Sequence, residues 1–196
     1  MENLASFTLA GIALTGSPGP NTLGLAAASA AYGLRGSLRL MAGSVIGVFV
    51  VMAATATGLT GLVLALPGVA PVVALLAAAY MLYLAYRIAT APPVANAANG
   101  RAPGFGPGLF LGLGNPKVYA AMAALYSGFT LLPSDPVADA ITKTGILLLM
   151  ILAVDVVWLL VGSALTRASQ RPAVHRAINV AFAVLLVASV GLTFLL

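Results

Sequence analysis

The chain has 196 residues, 61% of them hydrophobic and only 7% charged, with nine basic residues against four acidic ones and a mean hydropathy of +1.08. A soluble domain averages about 25% charged residues, so a water-covered globule is excluded and an integral membrane protein of one domain is implied. The absence of cysteine excludes disulfides, thiolate metal sites and thiol chemistry, and basic residues standing singly at the ends of apolar stretches orient a membrane protein rather than bind nucleic acid.

A helix needs about 20 mostly apolar residues to cross the hydrocarbon core. In chain order the stretches that qualify are 4–28, 40–66, 69–90, 107–131, 141–165 and 175–196. They are continuous and rich in Ala, Leu and Val, which predicts helices rather than the alternating strands of a barrel. The first follows "MENLASF", which lacks the positive start of a signal peptide, and is expected to be a retained span. The longest connector, centred on "TAPPVANAANGRAPGFGPG", predicts a flexible linker over 91–105 between halves at 1–90 and 106–196.

Every arginine falls in an odd-numbered connector: Arg35 and Arg39, Arg87 and Arg101, then Arg167, Arg171 and Arg176. The even connectors and the termini carry only Lys143, so the odd connectors are expected in the cytoplasm and both termini outside. His175 lies in a cytoplasmic connector. With no histidine at depth, neither metal transport nor a bound metal or other cofactor is expected.

Span one contains "GSPGPN" and span four "GLGNPK". Superposed, these match Gly16 with Gly112 and Pro20 with Pro116, half a chain apart. A proline kink for packing explains either break alone. It does not explain two breaks at matching places with Asn21, Asn115 and Lys117 beside them. Paired Gly/Pro interruptions in two halves point to an inverted-repeat transporter. The expected fold is therefore all-α and polytopic: six transmembrane helices as a 3+3 inverted repeat, helices one and four broken at mid-span.

Pro20 is expected to leave the Gly16 carbonyl without its helical donor, and Pro116 the Gly112 carbonyl. Such groups persist in hydrocarbon only where protein or a wet cavity satisfies them. A half-helix is expected to start at about Asn21 and another at about Lys117, each with free N–H groups and a positive dipole end. Pro18, Gly19, Asn21, Asn115 and Lys117 then surround an anion site. With the freed carbonyls beside it, the site suits a carboxylate next to an ammonium, the backbone of an amino acid.

Charges near a bilayer centre cost roughly 2.5–3.5 kcal/mol. Lys117 and Asp155 both lie about ten residues, or ~15 Å, from the cytoplasmic ends of their spans, so a structural ion pair between them is geometrically allowed. Alternatively Asp155 faces the cavity, carrying a proton or accepting the substrate ammonium. Tyr80 and Tyr83, at spacing three, either line that cavity or pack; Trp158, one turn beyond Asp155, either shields it or packs. "GSVIG" at 43–47 predicts a close helix contact. No nucleophile–base pair or metal motif appears among the spans, so a transporter rather than an enzyme is expected. A carrier or channel for another small anion is the rival.

With "SPGPNTL", "AYMLYLAYR", "GNPKVYAAM" and "DVVW", the sequence resembles the LysE/RhtB family of bacterial amino-acid exporters over nearly its whole length. The resemblance implies efflux of amino acids or related small molecules across the bacterial cytoplasmic (inner) membrane, driven by the proton gradient, by homodimers. The family's motifs fall on Pro18, Gly19, Pro20 and Asn21, on Asn115, Pro116 and Lys117, and on Asp155. Some family exporters of basic amino acids carry an acid in span two, whereas "MAGSVIGVFVVMA" has none, so the substrate is expected to be neutral.

Overall fold

The computed structural model describes residues 2–58, 68–90, 102–167 and 172–195. The end of the second expected span, most of the 91–105 linker, Arg101 and Arg171 lie outside them. The described residues form seven helices and no strand: α1 Glu2–Gly16, α2 Pro20–Ala56, α3 Val69–Ala89, α4 Phe105–Leu113, α5 Pro116–Gly128, α6 Pro136–Arg167 and α7 Pro172–Leu195.

The break at 17–19 divides the first expected span between α1 and α2, and the break at 114–115 divides the fourth between α4 and α5. By length and composition alone, Pro20–Ala56 and Pro136–Leu165 are, among the described residues, long and apolar enough to cross a membrane; Asn3–Gly16 and Ala173–Ser189 are apolar but shorter. The half-helices start at the prolines, one residue before the expected points. Proline suits the first helical position because its missing N–H is one that has no partner there anyway. Pro20 and Pro116 thus begin helices as much as they interrupt them.

Although α2 runs for 37 residues, it is not a straight rod. The Ser44 hydroxyl donates to Asn21 Oδ1, 23 residues away, a separation that would span ~34 Å of straight helix. The chain folds back at Gly33, whose φ of 76° and ψ of 165° belong to a region open essentially to glycine alone. The arms 20–32 and 34–56 therefore lie side by side. Gly33→Ala meets no steric obstacle around its new methyl, so its effect is backbone strain. Thermal unfolding in detergent should show a loss of about 1–3 kcal/mol, and unchanged stability would refute the corner.

Glycines set the closest helix crossing. A methyl on Gly43 would overlap the Phe105 carbonyl, and one on Gly108 the Leu40 carbonyl; Gly47 and Gly112 meet in the same way. "GSVIG" is thus the contact expected of it, and it locks the second arm of α2 onto α4. The first arm is held to α6 by Ser29 Oγ, which donates to the Leu159 carbonyl at 2.7 Å, and by Gly162, packed on the Ala26 carbonyl.

Three apolar clusters result among the described residues, the smallest around Leu25, Leu40 and Leu159 between the two arms of α2 and α6. Of the larger two, one joins the first arm of α2 to α3, α4 and α7 around Leu23, Met81, Leu111 and Phe182. The other joins α1, the second arm, α5 and α6 around Phe7, Met52, Met122 and Leu147. Large apolar side chains also face outward: Leu9 and Leu149 are each 70% exposed. A broad apolar exterior of this kind suits lipid rather than water.

Candidate functional site

The two breaks meet. Asn115 caps α5, its Oδ1 accepting from the Lys117 N–H at 3.1 Å. In the other break, Thr22 Oγ1 accepts from the Gly19 N–H at 3.0 Å. Lys117 then bridges them: its Nζ donates to the Ser17 carbonyl at 2.7 Å and to Ser17 Oγ at 2.8 Å. Its stem crosses Gly19 so closely that a Cβ there would lie 2.9 Å from Lys117 Cδ. A side chain at 19 would push the Lys117 stem from this path, while the backbone angles there are extended and open to any residue.

Beside this bridge lies a cavity of about 40 Å³. Its polar lining is Thr15, Gly19, Asn21, Thr22, Asn115, Lys117 and Asp155; Leu14, Val48, Met122, Ile151 and Val154 form much of the apolar wall. Asp155 is 1% exposed. Its Oδ1 accepts from Asn21 Nδ2 at 3.4 Å, while Oδ2 has no hydrogen-bond partner among the described residues. The expected alternative of a Lys117–Asp155 ion pair is not what forms: the ammonium is held by Ser17, and the carboxylate by Asn21. An opposed pair of charges shares a cavity without being joined.

Several residues singled out from sequence lie elsewhere. The Gly16 carbonyl, expected to be orphaned, accepts from Trp158 Nε1 at 3.3 Å; Trp158 thus seals the break instead of shielding Asp155. Gly16 and Trp158 border a separate apolar groove with Ile12 and Met150. Gly112 is buried in the α2–α4 crossing. Pro18 is exposed, and Pro20 and Pro116 serve as helix starts. Tyr80 does not line the cavity: its hydroxyl donates to the Pro107 carbonyl at 2.7 Å and its ring lies on Phe110. Tyr83 is half exposed and accepts from Arg87 Nη1 at 2.8 Å. Both face α4 or the exterior because that is how α3 packs.

Lys143 also departs from expectation. Instead of standing in a connector, it is buried in the second turn of α6, 2.6 Å from Asp139 Oδ2. Its Nζ donates to the Tyr126 and Phe129 carbonyls, while Asp139 Oδ1 accepts from the N–H groups of Leu131 and Leu132 at 2.6 and 2.9 Å. Together they close the turn between α5 and α6. The i, i+4 spacing of Asp139 and Lys143 was the available signal. Ser17 and Ser44 both lie within the quoted motifs, where nothing local marks them as hydrogen-bonding groups.

Compared with known families, residues 12–196 match the LysE type translocator family. The cysteine/O-acetylserine efflux proteins of Salmonella choleraesuis (strain SC-B67) and Salmonella typhimurium (strain LT2) are each 32% identical to this chain over 171 residues, covering 87% of it and 86% of their own length. No solved structure matches.

Proposed function

The chain belongs to the LysE type translocators, and from that premise we propose that it exports a small neutral amino acid or a close derivative across the bacterial inner membrane, driven by protons. The relatives named for cysteine and O-acetylserine efflux support the substrate class. The observation that carries the reading is the unjoined pair of charges: Lys117 for a carboxylate, Asp155 for an ammonium or a proton, across one cavity.

The walls support a neutral side chain. Beyond Asp155, the cavity lining has no acidic group to receive a second cation, and Val48, Met122 and Ile151 are apolar. At roughly 10–15 Å³ of such space per water, the cavity holds only a few waters, so a larger substrate requires the breaks to part. In this reading the halves 1–90 and 106–196 form one transport domain, a 3+3 inverted repeat with both termini outside, working as a homodimer or singly.

Mass-spectrometric export from proteoliposomes, run with a panel of amino acids and inorganic anions, tests the substrate. Cysteine, O-acetylserine and other small neutral amino acids should leave at least about tenfold faster than lysine or arginine, a difference of 1.4 kcal/mol. Movement of inorganic anions with no amino acid would replace this reading with the anion carrier.

A further inference from the structure

We propose that Val154 is a specificity-determining residue, a partition between the polar cavity and the apolar groove beside it that limits export to amino acids with small side chains; this rests on the reading of the polar cavity as the substrate site.

Two spaces meet at one side chain. The polar cavity measures about 40 Å³ and the groove about 330 Å³, and among the described residues Val154 of α6 is the one that lines both. On α1, Leu14 and Thr15 line the cavity whereas Ile12 and Gly16 line the groove, so the boundary follows the seam between the two helices. Gly16 meets the partition from the α1 side: a methyl there would stand 3.8 Å from Val154 Cγ2, in ordinary contact. One turn farther along α6, Trp158 Nε1 donates to the Gly16 carbonyl at 3.3 Å, so the groove lies between helices tied to each other. Valine makes a firm partition, because branching at Cβ leaves essentially one side-chain rotamer in a helix.

The two spaces also differ in chemistry. The side chain of an amino acid springs from the carbon that carries both charged groups, and Val154 stands next to Asp155 in the wall that this side chain meets. Beyond it the groove is walled by Ile12, Met150, Val157 and Trp158, and Ile12 and Val157 are more than half exposed on the apolar exterior. A leucine or phenylalanine side chain passing position 154 would lie against apolar surface while its charged groups stay with Lys117 and Asp155. A lysine side chain would carry its charge into a space with no polar group to receive it, which is costly.

Export from proteoliposomes reads the partition as rates of leucine, phenylalanine and lysine relative to the fastest of alanine, serine and cysteine. For the unaltered protein, leucine and phenylalanine should lag by at least about tenfold. Val154→Ala joins the cavity to the groove, and both relative rates should rise about tenfold or more, the discrimination that methyl-sized groups give in an apolar pocket. The relative rate of lysine should not rise. Val154→Cys, intermediate in size, should give a smaller rise and takes the place of the alanine variant if that variant does not fold. Val48→Ala supplies the comparison: it removes the same two methyl groups from a cavity wall that is 2% exposed and backed by the core, and its rise should be well below that of Val154→Ala.

Unmoved relative rates in Val154→Ala, an equal rise in Val48→Ala, or a parallel rise for lysine each overturns the partition and leaves the export reading standing. So does an unaltered protein that moves leucine as fast as alanine. Export of no amino acid in the panel by the unaltered protein overturns both the partition and the export reading.

Discussion

Proteoliposomes carrying Asp155→Asn should export at the background of empty vesicles, at least about 100-fold below the unaltered protein, while the variant inserts and purifies normally. The substitution is nearly isosteric, and the new amide's oxygen can still accept from Asn21 Nδ2, so packing around the site is retained. What disappears is the charge and the capacity to bind and release a proton at Oδ2, the oxygen with no partner among the described residues, on a side chain 1% exposed. An ionised carboxylate so placed is costly unless a cation or a proton reaches it, which makes its retention for packing alone a poor account. Substrate exchange at equal concentrations separates its two roles. If Asp155 carries the coupling proton, exchange survives in the variant while driven export does not. If it holds the substrate ammonium, both are lost. Full driven export would remove Asp155 from the mechanism.

The parts of this architecture that were legible in sequence are those dictated by local backbone chemistry. Proline at a helix start and glycine at a close approach act within a few residues, so "GSPGPN" and "GLGNPK" marked both breaks, and "GSVIG" marked the α2–α4 crossing. The misread residues depend on partners far along the chain. The Gly16 carbonyl is satisfied by Trp158, 142 residues away, and nothing near Gly16 announces this. Tyr80 and Tyr83 sit at helical spacing, but spacing defines a shared side without saying whether it meets a cavity, α4 or the exterior. Ser44 reads as one small residue among glycines until the corner at Gly33 sets it against Asn21. In sequence Lys143 and Asp139 stand beside an apparent connector, and only the fold of the α5–α6 turn buries them as a pair.

On the proposed reading the same geometry separates binding from coupling, with Lys117 meeting the opposite end of the substrate. In Lys117→Met the carboxylate loses its only cationic partner in the cavity lining, and the loss should appear in apparent affinity. Truncating one member of a buried charged pair costs about 2–5 kcal/mol, which is roughly 30-fold to more than 1,000-fold in half-saturating substrate. Lys117→Arg should rescue poorly despite its charge: the stem passes over Gly19 with no room to spare, and a planar guanidinium cannot follow the path of a slim ammonium. Since Lys117 also ties the two breaks together through Ser17, a purely structural contribution must be separated from recognition. An amine analogue lacking the carboxylate does so. If the ammonium of Lys117 binds the substrate carboxylate, that analogue moves equally, and weakly, through the unaltered protein and Lys117→Met, while the amino acid is impaired only in the variant. If both compounds lose the same factor, Lys117 is a brace between the breaks, and the carboxylate is held elsewhere.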